Sequence, residues 1–482
     1  MRAYLLSLLL SAQWEYFKIG TLSAQFSLRS KKICITEISI MDEQAAELLE
    51  KIRQQFDFGP YPRIEVDRSP KNDVAALYFH NLVTPYYLRN QKFISTEGKL
   101  ILDAGCGTGY KSLVLAEANP GAKIIGIDIS EQSLDLARQR FKYQGVKNGE
   151  FHLVSIYELP TLGLEFDYIN CDELLYLFPE PAVALESMKS VLKPHGIIRS
   201  NLHSSLQRFN YFRVQELFKI MGLMDSNPED MEIDIALETL KALKDGVDLK
   251  DKTWHPSYEG EDGKQSVLMN YLFQGDKGYT IPELFAALKA ADLEFISMLN
   301  WRQWKLMDLF KDPDNLPVFL AISLPEISVE QQLHLFELLH PIHRLLDFWC
   351  GHPNQAQPFV PVAEWQSSDW QEAKVHLHPQ LKTQAVKEEL VRCTTQFNPF
   401  EISKYLPVTG EQSLVDSSIA ACLLPLWEEA HSMQSLVERW QKLRPVHPVT
   451  LDPTVESEAF EIASATLMGL ENSGYVLLER QS

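Results

Sequence analysis

Six residues carry the clearest chemical signal. Residues 102–110 read Leu-Asp-Ala-Gly-Cys-Gly-Thr-Gly-Tyr, with Gly105, Gly107 and Gly109 at every second position behind Asp103. Glycines so spaced let the backbone turn sharply and let a ligand approach where a Cβ would collide. Asp128 follows 19 residues beyond Gly109. A carboxylate there, at a neighbouring strand end, can accept both hydroxyls of a ribose, so the two features together specify an adenosine-type ligand. A dinucleotide turn would read G-x-G-x-x-G, with a helix N-terminus facing pyrophosphate. Here the spacing is G-x-G-x-G, and Asp103 would repel pyrophosphate while suiting a ligand that carries a cationic amino group. His203, beyond a later strand, could take a proton.

These residues act together only if strands and turns deliver them to one edge. From residue 99 the pattern alternates: strands at 99–103, 123–128, 151–155, 166–171 and 197–202, with helices at 110–118, 131–143 and 182–192. Short apolar strands separated by amphipathic helices predict right-handed βαβ units, hence a Rossmann-like α/β sheet with helices on both faces. Ligands of such sheets sit at the carboxyl ends of the strands. The fourth strand ends at Cys171-Asp172-Glu173, followed by Tyr176, and the fifth at Asn201-Leu202-His203. Asp172, Glu173, Tyr176 and His203 are therefore the catalytic candidates. Capping a helix start competes with catalysis at Asp172 and Glu173, and a structural hydrogen bond competes at His203. A helix at 281–291 and a strand at 293–300 are expected to close the sheet, with a boundary near 310–317.

The constellation resembles the class I S-adenosylmethionine-dependent methyltransferases over roughly residues 95–205. Asp103 to Gly109 is similar to that family's first motif and Asp128 to its ribose carboxylate. Phe-Asp-Tyr-Ile-Asn-Cys at 166–171 resembles the fourth-strand motif, and Leu-Lys-Pro-His-Gly at 192–196 the turn before strand five. The resemblance implies S-adenosyl-L-methionine as cofactor, with Gly105 and Gly107 along its methionine part, Asp128 on the ribose and Ile129 on the adenine. Cys106, Ile156 and Cys171 would complete the surround. An Asp common in the third motif is replaced by Ser155, whose hydroxyl can still accept from the adenine amino group. Losing that charge-assisted bond costs roughly 1 kcal/mol. More loosely, Phe-Gly-Pro-Tyr-Pro at 58–62 and Gly-Tyr-Thr-Ile-Pro-Glu at 278–283 resemble flanks of bacterial methyltransferases with a C-terminal helical or regulatory region, some of which modify proteins.

Methyl transfer is an in-line displacement that needs alignment and a dry pocket, and no dedicated base when the acceptor is already nucleophilic. The motifs therefore name the cofactor and leave the acceptor, protein or small molecule, open. The competing reading is an S-adenosylmethionine-binding regulatory protein without transfer activity. Tyr61, Tyr86 and Tyr87 are candidates for covering the cofactor, with core packing as the competing role.

The 482 residues are 45% hydrophobic and 23% charged, the composition of a packed globular protein of two to four domains. Residues 1–40 carry five bases and two acids, leaving 40 bases and 63 acids, net −23, in the remainder. Such a body repels polyphosphate, which disfavours nucleic acid. Six scattered cysteines without a C-x-x-C indicate reduced thiols. The longest apolar run, residues 3–12, is too short to span a membrane and is a weak secretory-signal match. A cytoplasmic protein whose working part begins near Met41 is the expectation, with 1–40 a doubtful extension and 41–98 a helical, cofactor-covering segment.

The methyltransferase domain is expected at 99–310, with an acidic insertion at 222–275. Twelve acids and five bases between Asp225 and Lys264 make either a solvated acidic helix or a lid favouring a cationic acceptor. Residues 311–482 are expected to form a helical, winged-helix-like regulatory or substrate-selecting domain, and a route to a homodimer. There, 353–380 reads as an irregular connection, with helices at 415–434 and 456–470 and a strand at 475–479. His334 and His340 do not make a metal site, because Pro341 breaks the helix between their faces.

Overall fold

All five strands expected between residues 99 and 202 are present, the third displaced by two residues towards the N-terminus. The computed structural model describes residues 50–54, 61–260, 263–406, 408, 412–447 and 449–480. The expectations for residues 1–40 and for a helix opening at Met41 lie outside the residues described. Strands β1 (Leu100–Ala104), β2 (Lys123–Asp128), β3 (Gly149–Leu153), β4 (Phe166–Cys171) and β5 (Leu192–Ser204) pair in parallel in the order 3-2-1-4-5. Ile101, Leu102, Ile124, Ile125, Tyr168, Ile169, Ile197 and Ile198 are fully buried, so the central strands are covered on both faces as continuous apolar runs require. β5 begins earlier than expected, taking in the 192–196 turn.

The helix Tyr110–Ala118 stops at Asn119, where Pro120 follows. The Asn119 side chain donates to the carbonyls of Leu115 and His80 and accepts from the Leu82 amide, tying that helix end to the segment before the helix Val83–Asn90.

Beyond β5 the sheet differs from the expectation. β6 (Gly278–Tyr279) adds a short parallel pairing beside His203 and Ser204. β7 (Glu294–Met298) does not join β5 but forms the edge. Between them runs β8 (Leu345–Gly351), antiparallel to β5 along residues 197–203 and to β7. The expected boundary at 310–317 therefore cuts through the sheet: a strand read as part of the helical appendage is one of its inner members. Trp349 and Cys350 on β8 are buried, and the Trp349 indole donates to the Tyr168 hydroxyl at 3.1 Å across the sheet.

The insertion forms the helices Asp230–Ala242, Asp248–Thr253 and Gly263–Tyr271 around its own apolar cluster of Phe218, Ile233, Leu240, Tyr258 and Tyr271. The C-terminal region is helix-rich, built on a three-stranded antiparallel sheet of His431–Ser432, Ala373–Leu377 and Val476–Arg480. Part of the expected irregular connection is thus a central strand. The helix expected at 415–434 is only Ser417–Leu423, because Pro425 opens a tight turn after it; the strand His431–Ser432 falls in the rest of that span, and Met433–Leu443 is a separate helix. Trp365 and Trp370 pack in this region's core, which reaches Tyr78. The helix Val83–Asn90 holds it: the Tyr87 hydroxyl accepts from the Leu478 amide and donates to Glu471, and Thr84 Oγ1 bonds His378 Nε2 at 3.0 Å. No helix among the described residues is long and apolar enough to cross a membrane.

Candidate functional site

The glycine turn at the end of β1 takes the shape its sequence demands. Gly105, Gly107 and Gly109 have φ of 76°, 50° and 77°, in the left-handed region where side chains are strained. A Cβ at Gly107 would strike the Tyr61 carbonyl oxygen, and one at Gly109 would lie 2.6 Å from the Ala137 Cβ. Residues 61–65 are strapped across this turn: the Thr108 amide donates to the Tyr61 carbonyl, its hydroxyl donates to the Pro62 carbonyl, and Arg140 donates to the carbonyls of Ile64, Glu65 and Thr108.

Asp128 ends β2 with Oδ2 accepting from the Gly107 amide and Oδ1 from the Ser130 amide, both at 2.9 Å. Ile129 and Leu153, at adjoining strand ends, are 40% and 55% exposed, an apolar edge beside a polar turn. This donor set and apolar edge fit a nucleoside with a ribose and a purine.

Several expected cofactor contacts are otherwise engaged. Asp103 is 2% exposed, accepting from the Ser112 hydroxyl at 2.5 Å and Asn170 Nδ2 at 2.9 Å. Burial pushes its pKa up to about 6, against the lowering effect of those bonds, so it faces the interior instead of an open cation site. The Cys106 side chain packs with Leu113, Leu134 and Phe141, and its amide donates to the Ile127 carbonyl. Cys171 is wholly buried, its thiol pushed up to about 12, and the Ile156 side chain lies in the core. Ser155 caps a short turn, its hydroxyl accepting from the Tyr157 amide at 3.4 Å. Tyr86 donates to the Asp167 carbonyl; with Tyr87 on the C-terminal region, neither covers the cofactor turn.

The catalytic candidates divide. Asp172 is inside a buried charge network: Lys111 Nζ lies at 2.8 Å, Arg199 Nη2 at 3.4 Å, and Asn201 Nδ2 donates at 2.7 Å. Arg199 also makes a two-pronged contact with Asp347 of β8. Burial works against the charge of Asp172, yet Arg199 and Lys111 hold its carboxyl well below the usual range. Its role is to hold strand ends together, not to touch an acceptor.

Glu173, Tyr176 and His203 do converge. With Tyr61, Met269, Phe273 and Arg344 they line a cavity of about 380 Å³. Glu173 has φ of 56°, an uncommon strain for a non-glycine residue, and its amide donates to Asn201 Oδ1. The Tyr176 ring stacks on the His203 imidazole with centroids 3.7 Å apart.

Two residues passed over in the sequence complete this group. Asp276 Oδ1 lies 2.6 Å from His203 Nδ1, while Asp276 Oδ2 accepts from Arg208 Nη2 and Gln215 Nε2, each at 2.8 Å. Arg344 Nη1 lies 3.1 Å from His203 Nε2 and its Nη2 donates to Glu173 Oε1 at 2.7 Å. A guanidinium has only donors, so Nε2 is the acceptor and the ring proton sits on Nδ1, donated to Asp276. Burial lowers the His203 pKa, with the Asp276 bond opposing, and although burial would raise Asp276, its bond from His203 brings it down to about 2. The pair is a neutral imidazole on a carboxylate. The signal for Asp276 stood two residues before the flagged Gly-Tyr-Thr-Ile-Pro-Glu stretch, where β6 pairing with β5 sets it beside His203.

Among the described residues, the acidic excess of the insertion does not reach the cavity. The insertion supplies Gln265, Ser266, Met269, Asn270 and Phe273 as one wall, none of them acidic. Its acids pair outside: Lys264 with Asp230 and Asp234, Lys241 with Glu259, Arg213 with Asp248.

Residues 95–259 match a family described as a methyltransferase domain. An uncharacterized protein of Synechococcus is 26% identical over 273 residues, covering 56% of this chain and 63% of that relative. Ubiquinone biosynthesis O-methyltransferase of Coxiella burnetii is 29% identical over 210 residues, covering 42% of this chain and 87% of that enzyme. Among solved structures, PKMT2 from Rickettsia typhi in complex with AdoHcy shares the fold with a TM-score of 0.54 at 17% identity, over 84% of this chain and 76% of that one. With the glycine turn, Asp128 at the end of β2 and the strand order, these matches identify the chain as one that carries a class I S-adenosylmethionine-dependent methyltransferase domain, with S-adenosylmethionine as its cofactor.

Proposed function

We propose that this chain transfers a methyl group to a hydroxyl of an acceptor seated in the cavity lined by Glu173, Tyr176, His203 and Arg344, with His203 as the general base. The observation that carries the reading is the 2.6 Å contact between His203 Nδ1 and Asp276 Oδ1, which fixes the tautomer whose Nε2 lone pair meets Arg344, another residue of the cavity lining. S-adenosylmethionine, when bound, supplies the activated methyl group. Gly105 and Gly107 would pass along its methionine part and Asp128 would take its ribose at the strand edge, and Tyr61 belongs both to the strap over that turn and to the cavity wall.

The acceptor hydroxyl takes the place of the Arg344 guanidinium at Nε2, Arg344 keeping its bond to Glu173. As the oxygen attacks, Nε2 receives its proton and Asp276 stabilises the imidazolium that forms. Tyr61, Met269 and Phe273 give the acceptor an apolar wall to pack on, which aligns it for the displacement. Incubation with methyl-labelled S-adenosylmethionine and a panel of hydroxylated acceptors tests this. Transfer by the native protein, lost in His203→Ala while S-adenosylhomocysteine still binds, is expected. Full transfer by that variant would refute the base. Binding of the cofactor with no labelled product from any acceptor would instead favour a regulatory protein.

A further inference from the structure

Resting on the reading of His203 as the base, we infer that Asn201 is a positioning residue: it sets the turn that carries Glu173, Glu173 anchors the Arg344 guanidinium, and that guanidinium masks His203 Nε2 until an acceptor displaces it. Asn201 lies on β5 two residues before His203 and is wholly buried. Both ends of its side chain are used. Oδ1 accepts from the Glu173 amide at 2.9 Å, and Nδ2 donates to Asp172 Oδ1 at 2.7 Å. Glu173 stands at a φ of 56°, which a non-glycine residue keeps only where its surroundings impose it. Here the imposition comes from Asn201 on its amide and from Asp172, which Lys111 and Arg199 fix on the residue before it.

The other half of the clamp precedes β8. The Ser204 amide donates to the Arg344 carbonyl at 2.9 Å, which registers the Arg344 backbone on the strand that carries His203. Its side chain then reaches Glu173 Oε1 at 2.7 Å and His203 Nε2 at 3.1 Å. That side chain is long and 43% exposed, so the Glu173 carboxylate decides whether the guanidinium lies on Nε2 or turns out to solvent. The groups facing the His203 ring are Asp276, Arg208, Arg344 and the stacked Tyr176, with Glu173 and Tyr61 acting in turn on Arg344. Burial, Arg208 and Arg344 favour the neutral ring, and Asp276 opposes them. In the resting protein Nε2 is therefore both neutral and covered. An arriving hydroxyl that pushes the guanidinium aside removes one of the forces that weaken the base, and so meets a stronger one.

The test reads the His203 ring directly and needs no acceptor. Full-length protein carrying isotope-labelled histidine and saturated with S-adenosylhomocysteine is titrated with acid in the NMR spectrometer, the His203 resonance being the one absent from His203→Gln. Asn201→Ala, Glu173→Gln and Arg344→Met are each expected to raise the proton-binding constant of His203, by about threefold or more. Adding Asn201→Ala to Arg344→Met should raise it no further, since Asn201 acts through Arg344. Unchanged S-adenosylhomocysteine affinity verifies that each variant is folded, and Asn201→Ser, which keeps a short polar side chain, is read in place of Asn201→Ala if the latter does not fold. A His203 midpoint that stays at its native pH in the Asn201 variant, or a shift that adds to that of Arg344→Met, would overturn the inference and leave Asn201 a structural residue alone. Neither outcome touches the base itself, which fails separately, through full turnover in His203→Ala.

Discussion

Asp276 accepts the Nδ1 hydrogen of His203 at 2.6 Å from a position 73 residues further along the chain, and is itself held by Arg208 and Gln215. Replacing it with Asn leaves the size unchanged but removes the charge that stabilises an imidazolium. Asp276→Asn should lower kcat by about 100-fold or more while S-adenosylhomocysteine affinity stays within twofold of native. Single-turnover kinetics and calorimetry check the two halves, and a variant with native kcat would remove His203 from the mechanism.

The pH dependence follows from the buried imidazole. Burial holds the His203 pKa below its ordinary 6.5, so the ring is neutral and competent at pH 7. As pH falls through that lowered pKa, Nε2 is protonated and cannot accept, so kcat/KM should fall with unit slope on the acid side, with its midpoint below 6.5. A pH–rate profile with its acid limb centred above 7 would contradict the assignment.

Cofactor binding should rest on Asp128 and Gly107 together, since they are joined by a hydrogen bond. Asp128→Ala removes both the ribose acceptor and the partner of the Gly107 amide, and should weaken S-adenosylhomocysteine by roughly 2–3 kcal/mol. Gly107→Ala forces a Cβ at a φ of 50° against the Tyr61 carbonyl, so it should weaken binding and also free residues 61–65. Calorimetry gives the affinities, and faster proteolysis around residue 63 in Gly107→Ala reads the strap.

Asp172 predicts loss of stability, in contrast to the loss of turnover expected at Asp276. Asp172→Ala leaves Lys111 without a carboxylate and the buried Arg199 with Asp347 alone, and should destabilise the fold by about 3 kcal/mol. Asp172→Leu combined with Lys111→Met, which keeps Arg199 on Asp347, should recover part of that loss. Thermal melting of the single and combined variants decides between a structural network and a catalytic one.

Much of the site's cofactor half was legible because it is local. The turn, Asp128 and the strand ends lie within one run of βαβ units, and their spacing reports their positions. What failed depended on partners elsewhere. Asp103 reads as an open cation site until Ser112 and Asn170, on other elements, are seen to occupy it. Asp172 reads as a base until Arg199 is placed beneath it. An arginine within the apolar run Ile-Ile-Arg-Ser-Asn-Leu was itself a signal, since a buried guanidinium demands a carboxylate.

β8 was missed for a different reason. Leu-Leu-Asp-Phe-Trp-Cys-Gly is apolar on both faces because both are covered, so it shows neither a period of two nor of 3.6 and blends into the helical region before it. Arg344, one residue ahead of it, was lost with it. Asp276 sits in a short connection with no period at all, and only the pairing of β6 with β5 gives it a place.

The position of β8 has a consequence in time. His203 and Arg344 face each other across 141 residues of chain, and the sheet is incomplete until the later one has been made. A ribosome adding about 5–20 residues each second needs roughly 7–28 seconds to cross that interval. Over that period the glycine turn, Asp128 and β1 to β4 already have their partners, while the cavity beside them lacks a wall. The nascent chain therefore acquires its means of holding the methyl donor well before it acquires the chamber in which that methyl can be spent.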